Sequence, residues 1–283
     1  VSAGRPTVPT VRLAGGVEVP QLGLGVFQVP PDEAQRVVET ALEAGYRHVD
    51  TAAAYNNESG VGAAIAASGL PREEVFVTTK LRNGDQGRDA ARRAYDDSCR
   101  RLGLDHVDLY LVHWPNPSAD RYADSWRTLA ELLDEGRVRA VGVSNFLPEH
   151  LDRLAAESGV VPAVNQVELH PTFQQRELVA DTQRRGIVVE AYSPLGQGAD
   201  LSAPAVARAA ATLGATPAQV VLRWHLDRGH VVIPKSGRPE RIAENLAAVG
   251  VHLDGQVLDG ITALDAGARL GGDPATFALS QIR

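Results

Sequence analysis

The chain has 283 residues, 44% of them hydrophobic, and a formal net charge of −7. That is enough apolar material for a sizeable core, and a mildly acidic chain with no long charge run argues against nucleic acid or an anionic membrane as a partner. The single cysteine, Cys99, cannot form an internal disulfide and no stretch reads as a signal peptide or a bilayer span, so a cytoplasmic protein is expected.

Arginine supplies nearly all the positive charge; Lys80 and Lys235 are the only lysines. Two positions kept as lysine point to a need for its compact, tunable amine. Methionine is absent, so the initiator is taken as removed, replaced or not included.

Residues 8–20 read as a hairpin, two β-rich runs flanking Ala14-Gly15-Gly16. From Leu22 a strand-then-helix rhythm begins. A strand near Leu22–Phe27 precedes a helix from Pro31 or Asp32 to Ala44. Tyr46–Asp50 precedes a helix near Ser59–Ser68, and Val75–Lys80 precedes one near Arg88–Leu102. Val107–His113 is followed by a helix near Tyr122–Glu135, and Val138–Val143 by one from Pro148 to Glu157. Ala163–Val167 leads to a helix near Gln175–Arg184. Ile187–Ala191 leads through a loop to helices near Ala203–Leu213 and Pro217–Asp227. His230–Ile233 leads to a helix near Pro239–Ala247, and a tail with a helical patch near Gln256–Leu264 closes the chain.

Eight such units with apolar strands predict an α/β fold, a (β/α)8 TIM barrel of parallel strands covered by helices. No linker or composition break divides it, so residues 1–283 are expected to form one domain, with the tail over one barrel mouth.

Active sites of such barrels lie at the C-terminal ends of the strands. There the chain places Asp50 and Tyr55, Lys80, His113 and Trp114, Ser144 and Asn145, then Gln166, Glu168 and His170, then Tyr192, and finally Lys235 and Ser236. Asp50, Tyr55 and Lys80 are an acid, a phenol and an amine. A lysine close to a tyrosine favours phenolate and makes the phenol a better proton donor, while an aspartate beside the lysine keeps it charged. That is the outline of a general acid built from tyrosine. Lys235-Ser236-Gly237-Arg238-Pro239-Glu240-Arg241 is the one compact basic cluster, and it opens a helix, which favours anions.

Joint motifs carry a resemblance: Gly23-Leu24-Gly25, Asp50-Thr51-Ala52-Ala53-Ala54-Tyr55, Thr79-Lys80, Leu111-Val112-His113-Trp114-Pro115, Gly142-Val143-Ser144-Asn145-Phe146, Asn165-Gln166-Val167-Glu168, Ala191-Tyr192-Ser193-Pro194-Leu195-Gly196 and Ile233-Pro234-Lys235-Ser236. In family order along almost the whole chain, they make it resemble the aldo-keto reductases, and among them the bacterial 2,5-diketo-D-gluconate reductase-type enzymes. The resemblance implies NADPH-dependent reduction of an aldehyde or ketone by a monomer. Tyr55 would give the proton, Lys80 held by Asp50 would lower the Tyr55 pKa from roughly 10 toward working pH, and His113 would orient the carbonyl. The nicotinamide amide would bond Ser144, Asn145 and Gln166, and its ring would stack on Tyr192. Gly25, Val26, Asp50, Ser193 and Leu195 would add cofactor contacts. Lys235, Ser236 and Arg241 would hold the adenosine 2′-phosphate, with Glu244 and Asn245 near the adenine. Phe27, Trp114 and Phe277 are expected to line the substrate pocket.

Arg82 stands where the related diketo-gluconate reductases commonly carry tryptophan. It either reaches the pocket rim and favours substrates carrying a carboxylate, held through two hydrogen bonds, or several hydroxyls, or, as exposed arginine usually does, points to solvent or pairs with Asp85. A dinucleotide-binding βαβ fold fails because Gln28 stands where the third glycine should be. A glycosidase needs two flanking carboxylates, and of the candidates Glu190 falls within a strand and Glu168 reads as structural. A non-catalytic NADPH-binding interaction subunit remains the alternative. Relatives of that kind carry an extra N-terminal segment, whereas only a few residues precede the hairpin here.

Overall fold

The structure, a computed structural model, describes residues 7–279. Its first two strands, β1 (Thr10–Arg12) and β2 (Glu18–Pro20), pair antiparallel as the expected hairpin. Eight parallel strands follow, hydrogen-bonded to one another in chain order. They are β3 (Leu24–Gly25), β4 (His48–Asp50), β5 (Phe76–Leu81), β6 (Val107–Val112), β7 (Val138–Ser144), β8 (Val164–Glu168), β9 (Val188–Tyr192) and β10 (Val231–Val232). The two end strands meet. Gly23 N–H donates to Val232 O at 2.8 Å, Val232 N–H to Gln21 O at 2.8 Å and Gly25 N–H to Pro234 O at 3.2 Å, so the sheet curls on itself.

Helices fill the connections: α1 (Pro31–Ala44), α2 (Glu58–Ala67), α3 (Arg88–Leu102), α4 (Tyr122–Asp134), α5 (Pro148–Ser158), α6 (Arg176–Arg184), α7 (Pro204–Leu213), α8 (Pro217–Asp227), α9 (Pro239–Leu246) and α10 (Gly255–Thr262). Proline at the first helical position starts α1, α5, α7, α8 and α9, where its missing N–H is not needed. No helix among the described residues is long and apolar enough to cross a membrane.

The expected elements are present, with two short strands as the main difference. The first is Leu24–Gly25 rather than Leu22–Phe27, because Phe27 leaves the sheet and is 52% exposed. The last is Val231–Val232 rather than His230–Ile233; Pro234, without an N–H, follows closely.

Side chains alternate across a strand, so residues two apart share a face. Val49, Val77, Val141, Val143 and Val189 point to the helices and join one large apolar cluster. The inner face changes character along its length. Phe76, Leu109, Leu111, Ala140, Val164 and Val231 form an apolar inner layer with Leu13 and Val19 of the hairpin. Two positions further along β5 come Thr78 and then Lys80, and the other strands bring His48, Asp50, Gln166 and Glu190, all buried. The hairpin thus seals one end of the curled sheet, and the polar residues collect toward the other.

Helix α2 is rich in small residues because its neighbours leave no room. A Cβ on Gly62 would lie 1.9 Å from the Leu102 carbonyl oxygen at the end of α3. Gly62→Ala should therefore lower stability by about 1–3 kcal/mol in urea unfolding, the usual range for overpacking; an unchanged midpoint would mean that α2 and α3 do not pack this closely.

Candidate active site

Asp50 ends β4, and Lys80 lies inside β5, one residue before its end. Lys80 has no exposed surface. Its Nζ donates to Asp50 Oδ1 at 2.6 Å and to Thr51 O at 2.9 Å. The second oxygen of Asp50 accepts from Gln166 Nε2 at 2.9 Å. A short 3-10 turn, Ala53–Tyr55, then brings the Tyr55 ring centroid to 5.1 Å from Lys80 Nζ. The His113 ring meets Tyr55 edge-on, centroids 5.6 Å apart, and Phe27 packs on it from another side at 5.1 Å. The four residues expected to carry chemistry are therefore brought together.

Their environments separate their protonation states. Burial pushes the Tyr55 phenol above its usual 10.0; the Lys80 charge pulls it down, Asp50 pushes it up again, and the net direction is upward. This corrects the expected net lowering: Lys80 offsets burial rather than overcoming it. Burial would lower Lys80, but Asp50 and Tyr55 raise it further, so it stays charged. Burial, then the Lys80 charge, hold His113 well below 6.5 and keep it neutral. Its Nδ1 is buried with no partner among the described residues.

A second polar layer lies beneath and had been given no role. Glu190 sits in register with Gln166 across β8 and β9. It is wholly buried, and burial, then the Asp50 charge, push its carboxyl up to about 8. His48 Nε2 lies 3.9 Å from it and is held down to about 4, mainly by burial. The alternation Val188, Glu190, Tyr192 was the available signal for an inward-facing acid.

Ser144, Asn145, Gln166 and Tyr192 form one bonded group. Asn145 has φ +64°, a left-handed conformation that asparagine tolerates better than most residues, and this turns its amide back over the sheet end. Its Nδ2 donates to His113 O at 3.2 Å and to Ser144 Oγ at 3.1 Å, and its Oδ1 accepts from Tyr192 OH at 2.9 Å. Ser144 Oγ donates to Gln166 O at 2.9 Å. The Tyr192 ring is thereby fixed beside Asn145.

From Phe27 a cleft of about 970 Å³ runs past Ser193, Leu195 and Gln197 to Lys235, Ser236, Arg238, Arg241, Glu244 and Asn245. Phe27 touches both Tyr55 and this cleft, so one long ligand could reach Tyr55 from the basic end. The basic end lies at the start of α9, whose free N–H groups favour anions. Arg238 lines it too. It belongs to the basic cluster read in the sequence but had no separate assignment.

Residues 20–266 match the profile of the Aldo/keto reductase family. The chain belongs to that family. An aldo-keto reductase of Mycolicibacterium smegmatis is 52% identical over 269 residues, covering 95% of this chain and 98% of its own. The methylglyoxal reductase DkgA of Salmonella typhimurium is 49% identical over 274 residues, covering 96% and 98%. Among solved structures, a Gox0644 variant in complex with NADPH superposes with a TM-score of 0.93 at 45% identity, covering 96% and 99%.

Within this member of the aldo-keto reductases, Val26, Asp50 and Arg82 all make bonds inside the chain. Val26 is wholly buried; its N–H bonds Asp50 O and its C=O accepts from Asn57 Nδ2. Asp50 accepts from Lys80 through one oxygen and from Gln166 through the other. Arg82 does not turn to the cleft. Its Nε and Nη2 donate to the two oxygens of Asp85, and it lines a separate cavity with Asn56, Arg93, Asp97 and Arg101. The carboxylate three residues on in the chain occupies the guanidinium fork. Phe277 stacks on Trp114 at 3.9 Å, and Gly25 stays within the sheet, where a Cβ would lie 2.7 Å from Ile233 O.

Because the Arg82–Asp85 pair is partly exposed, removing it should be nearly silent. Arg82→Ala should cost no more than about 1 kcal/mol of stability and leave kcat/KM on a carboxylate-bearing aldehyde within about twofold of the parent. A tenfold selective loss on the charged aldehyde, compared with its neutral isostere, would restore Arg82 to the substrate site.

Proposed function

We propose that this chain reduces aldehyde and ketone carbonyls to alcohols with NADPH, with Tyr55 as the proton donor. It is an NADP-dependent oxidoreductase of the aldo-keto reductase family. The observation that carries the mechanism is the buried Lys80–Asp50 pair beside Tyr55, facing a neutral His113. A phenol held above 10 is fully protonated at neutral pH, as a donor must be. Lys80 then stabilises the phenolate left when the proton goes to the carbonyl oxygen. The neutral His113 ring orients the carbonyl by hydrogen bonding. When bound, the nicotinamide supplies hydride to the carbonyl carbon.

The chain's own residues suit that cofactor. Lys235, Ser236, Arg238 and Arg241 gather where a helix begins, and Tyr192, pinned by Asn145, offers a flat face near Ser144 and Gln166. Glu244 and Asn245 stand beside the basic group, and Ser193 and Leu195 line the middle of the cleft. Phe27 lines the cleft, and the stacked pair of Trp114 and Phe277 is the proposed apolar side of the substrate pocket. Relatives named methylglyoxal reductase point to small dicarbonyls as first substrates to try.

The wider reading follows. The bonds joining β3 to β10 support a closed (β/α)8 barrel, and one apolar cluster from Leu22 to Ile261 supports a single domain. Bonds from the tail to Glu168, and the stacking of Phe277 on Trp114, support a tail lying over the mouth that holds Tyr55. One copy of the chain carries every residue of the site, which supports a monomer, and a free buried Cys99 fits a cytoplasmic protein.

Steady-state reduction of methylglyoxal and a simple aldehyde tests the assignment. Tyr55→Phe should lower kcat by about 10²-fold or more while leaving NADPH affinity within a few-fold. NADPH should be preferred over NADH, more strongly at low salt because the extra phosphate is partly exposed and screened. Lys235→Ala combined with Arg241→Ala should remove that preference. Equal turnover by Tyr55→Phe, or a preference untouched by the double substitution, would contradict the proposal.

A further inference from the structure

The loop after β9 and the chain's tail are separate walls. Gln197, Gly198 and Leu201 of the loop line the long cleft. Phe277 of the tail covers Trp114, and the Asn83 amide donates to Leu279 O at 3.2 Å. The two walls meet at one corner, the turn between β8 and α6.

His170 stands at the centre of that corner. Its Nδ1 is 2.9 Å from Asp200 of the loop, and its Nε2 is 3.1 Å from Glu168 at the end of β8. Both ring nitrogens face a carboxylate, which suits an imidazolium donating on both sides. Glu168 in turn accepts the tail: Leu270 N–H and Gly271 N–H donate to its two oxygens, each at 2.7 Å. Gly271 is needed for so close an approach, since a Cβ there would lie 2.7 Å from Glu168 Oε2.

A second link runs in parallel through Thr172. Its hydroxyl donates to Asp200 Oδ1 at 2.7 Å, while its carbonyl accepts from Ala266 N–H at 3.0 Å and Ala268 N–H at 3.1 Å. Glu168, His170 and Asp200 are nearly inaccessible, each 1–2% exposed. A satisfied buried polar network of this kind is rigid, and a partly satisfied one is costly. The loop therefore cannot loosen without unpairing His170 or Thr172, and these same residues anchor the tail.

Resting on the reading of the cleft as the cofactor site, we infer that Glu168, His170, Thr172 and Asp200 form a clasp that couples the cofactor-side loop to the substrate-side tail. They are positioning residues, and none of them lines the long cleft. Coupling is reciprocal, so a loop held closed by cofactor holds the tail for substrate, and the tail's anchorage favours cofactor equally.

The clasp also has a pH limit. Burial alone would lower His170, but the bonds to Asp200 and Glu168 outweigh it and carry it to about 9. A raised pKa means the contribution is complete below the unfolded value of about 6.5 and is lost as pH rises through about 9. The other groups facing it are Tyr192 and Arg269, beside Glu168, and the neutral His225.

The test uses the full chain and reads each wall from the opposite side. NADPH Kd is measured by fluorescence without substrate, and aldehyde KM at saturating NADPH. Asp200→Asn, a loop substitution, should raise aldehyde KM as well as NADPH Kd. Glu168→Gln, a tail-side substitution, should weaken NADPH binding with no substrate present. Each cross-effect should be about fivefold or more, and the double variant should be little worse than either single one. Thr172→Val removes one hydroxyl bond and should move both readouts the same way; it decides the matter if the buried carboxylate variants do not fold. Wild-type NADPH affinity should fall through about pH 9 more steeply than that of His170→Gln. Asp200→Asn altering only Kd and Glu168→Gln altering only KM would overturn the clasp, as would a Thr172→Val variant that moves one readout alone. A wild type that neither binds NADPH nor reduces aldehydes would instead sink the proposed function.

Discussion

A lysine with no exposed surface lies 2.6 Å from an aspartate inside the curled sheet, and the rest of the site is arranged around that pair. Removing two charges from water costs several kcal/mol per ion, and only close geometry with the remaining bonds satisfied offsets it. Here Thr51 O takes a second Lys80 proton and Gln166 takes the second Asp50 oxygen. The surrounding ionisable groups are kept from adding charge. Burial leads in each case: His113 and His48 are held down and stay neutral, and Glu190 is pushed up to about 8 and holds its proton at neutral pH. The immediate surroundings of Lys80 therefore carry one balanced pair, with the Tyr55 ring beside it.

The fold makes that arrangement cheap to hold. Period-two alternation turns Val49, Val77 and Val189 to the helices and leaves the inner face free to change from apolar to polar along its length. The hairpin covers the apolar end, so water reaches the polar residues only from the other. Side chains on paired strands are held more firmly than side chains on loops. Asp50, Lys80, Ser144, Gln166 and Tyr192 are all within strands, and His113 follows β6 directly. The loop after β9, which lines the long cleft, and the tail, which covers Trp114, are separate chain segments gathered at one corner.

Much of this was legible in the sequence because the signals are local. Apolar runs ending in an ionisable residue marked Asp50, Lys80 and His113, and the scarcity of lysine singled out Lys80 and Lys235. Helix starts were legible where proline begins them. Other features depend on direction and distance. Whether Arg82 turns to a pocket or to Asp85 is a choice between rotamers, which spacing does not encode. The net protonation of Tyr55 depends on how much burial opposes Lys80, and burial is a property of the assembled fold. The bond from Leu270 to Glu168 spans 102 residues, and His170 to Asp200 spans 30, so no motif could pair them.

The central claim is that the compact amine of Lys80, placed between Asp50 and Tyr55, is what makes Tyr55 an effective acid. The most direct measurement is the single-turnover rate of carbonyl reduction by Lys80→Arg with NADPH bound, alongside its NADPH Kd. A guanidinium keeps the charge but is too broad and planar for that buried space. The account predicts a rate loss of about 10²-fold or more, with NADPH Kd within a few-fold of the parent showing that the fold and cleft persist. A variant that binds NADPH normally and retains most of the rate would contradict it.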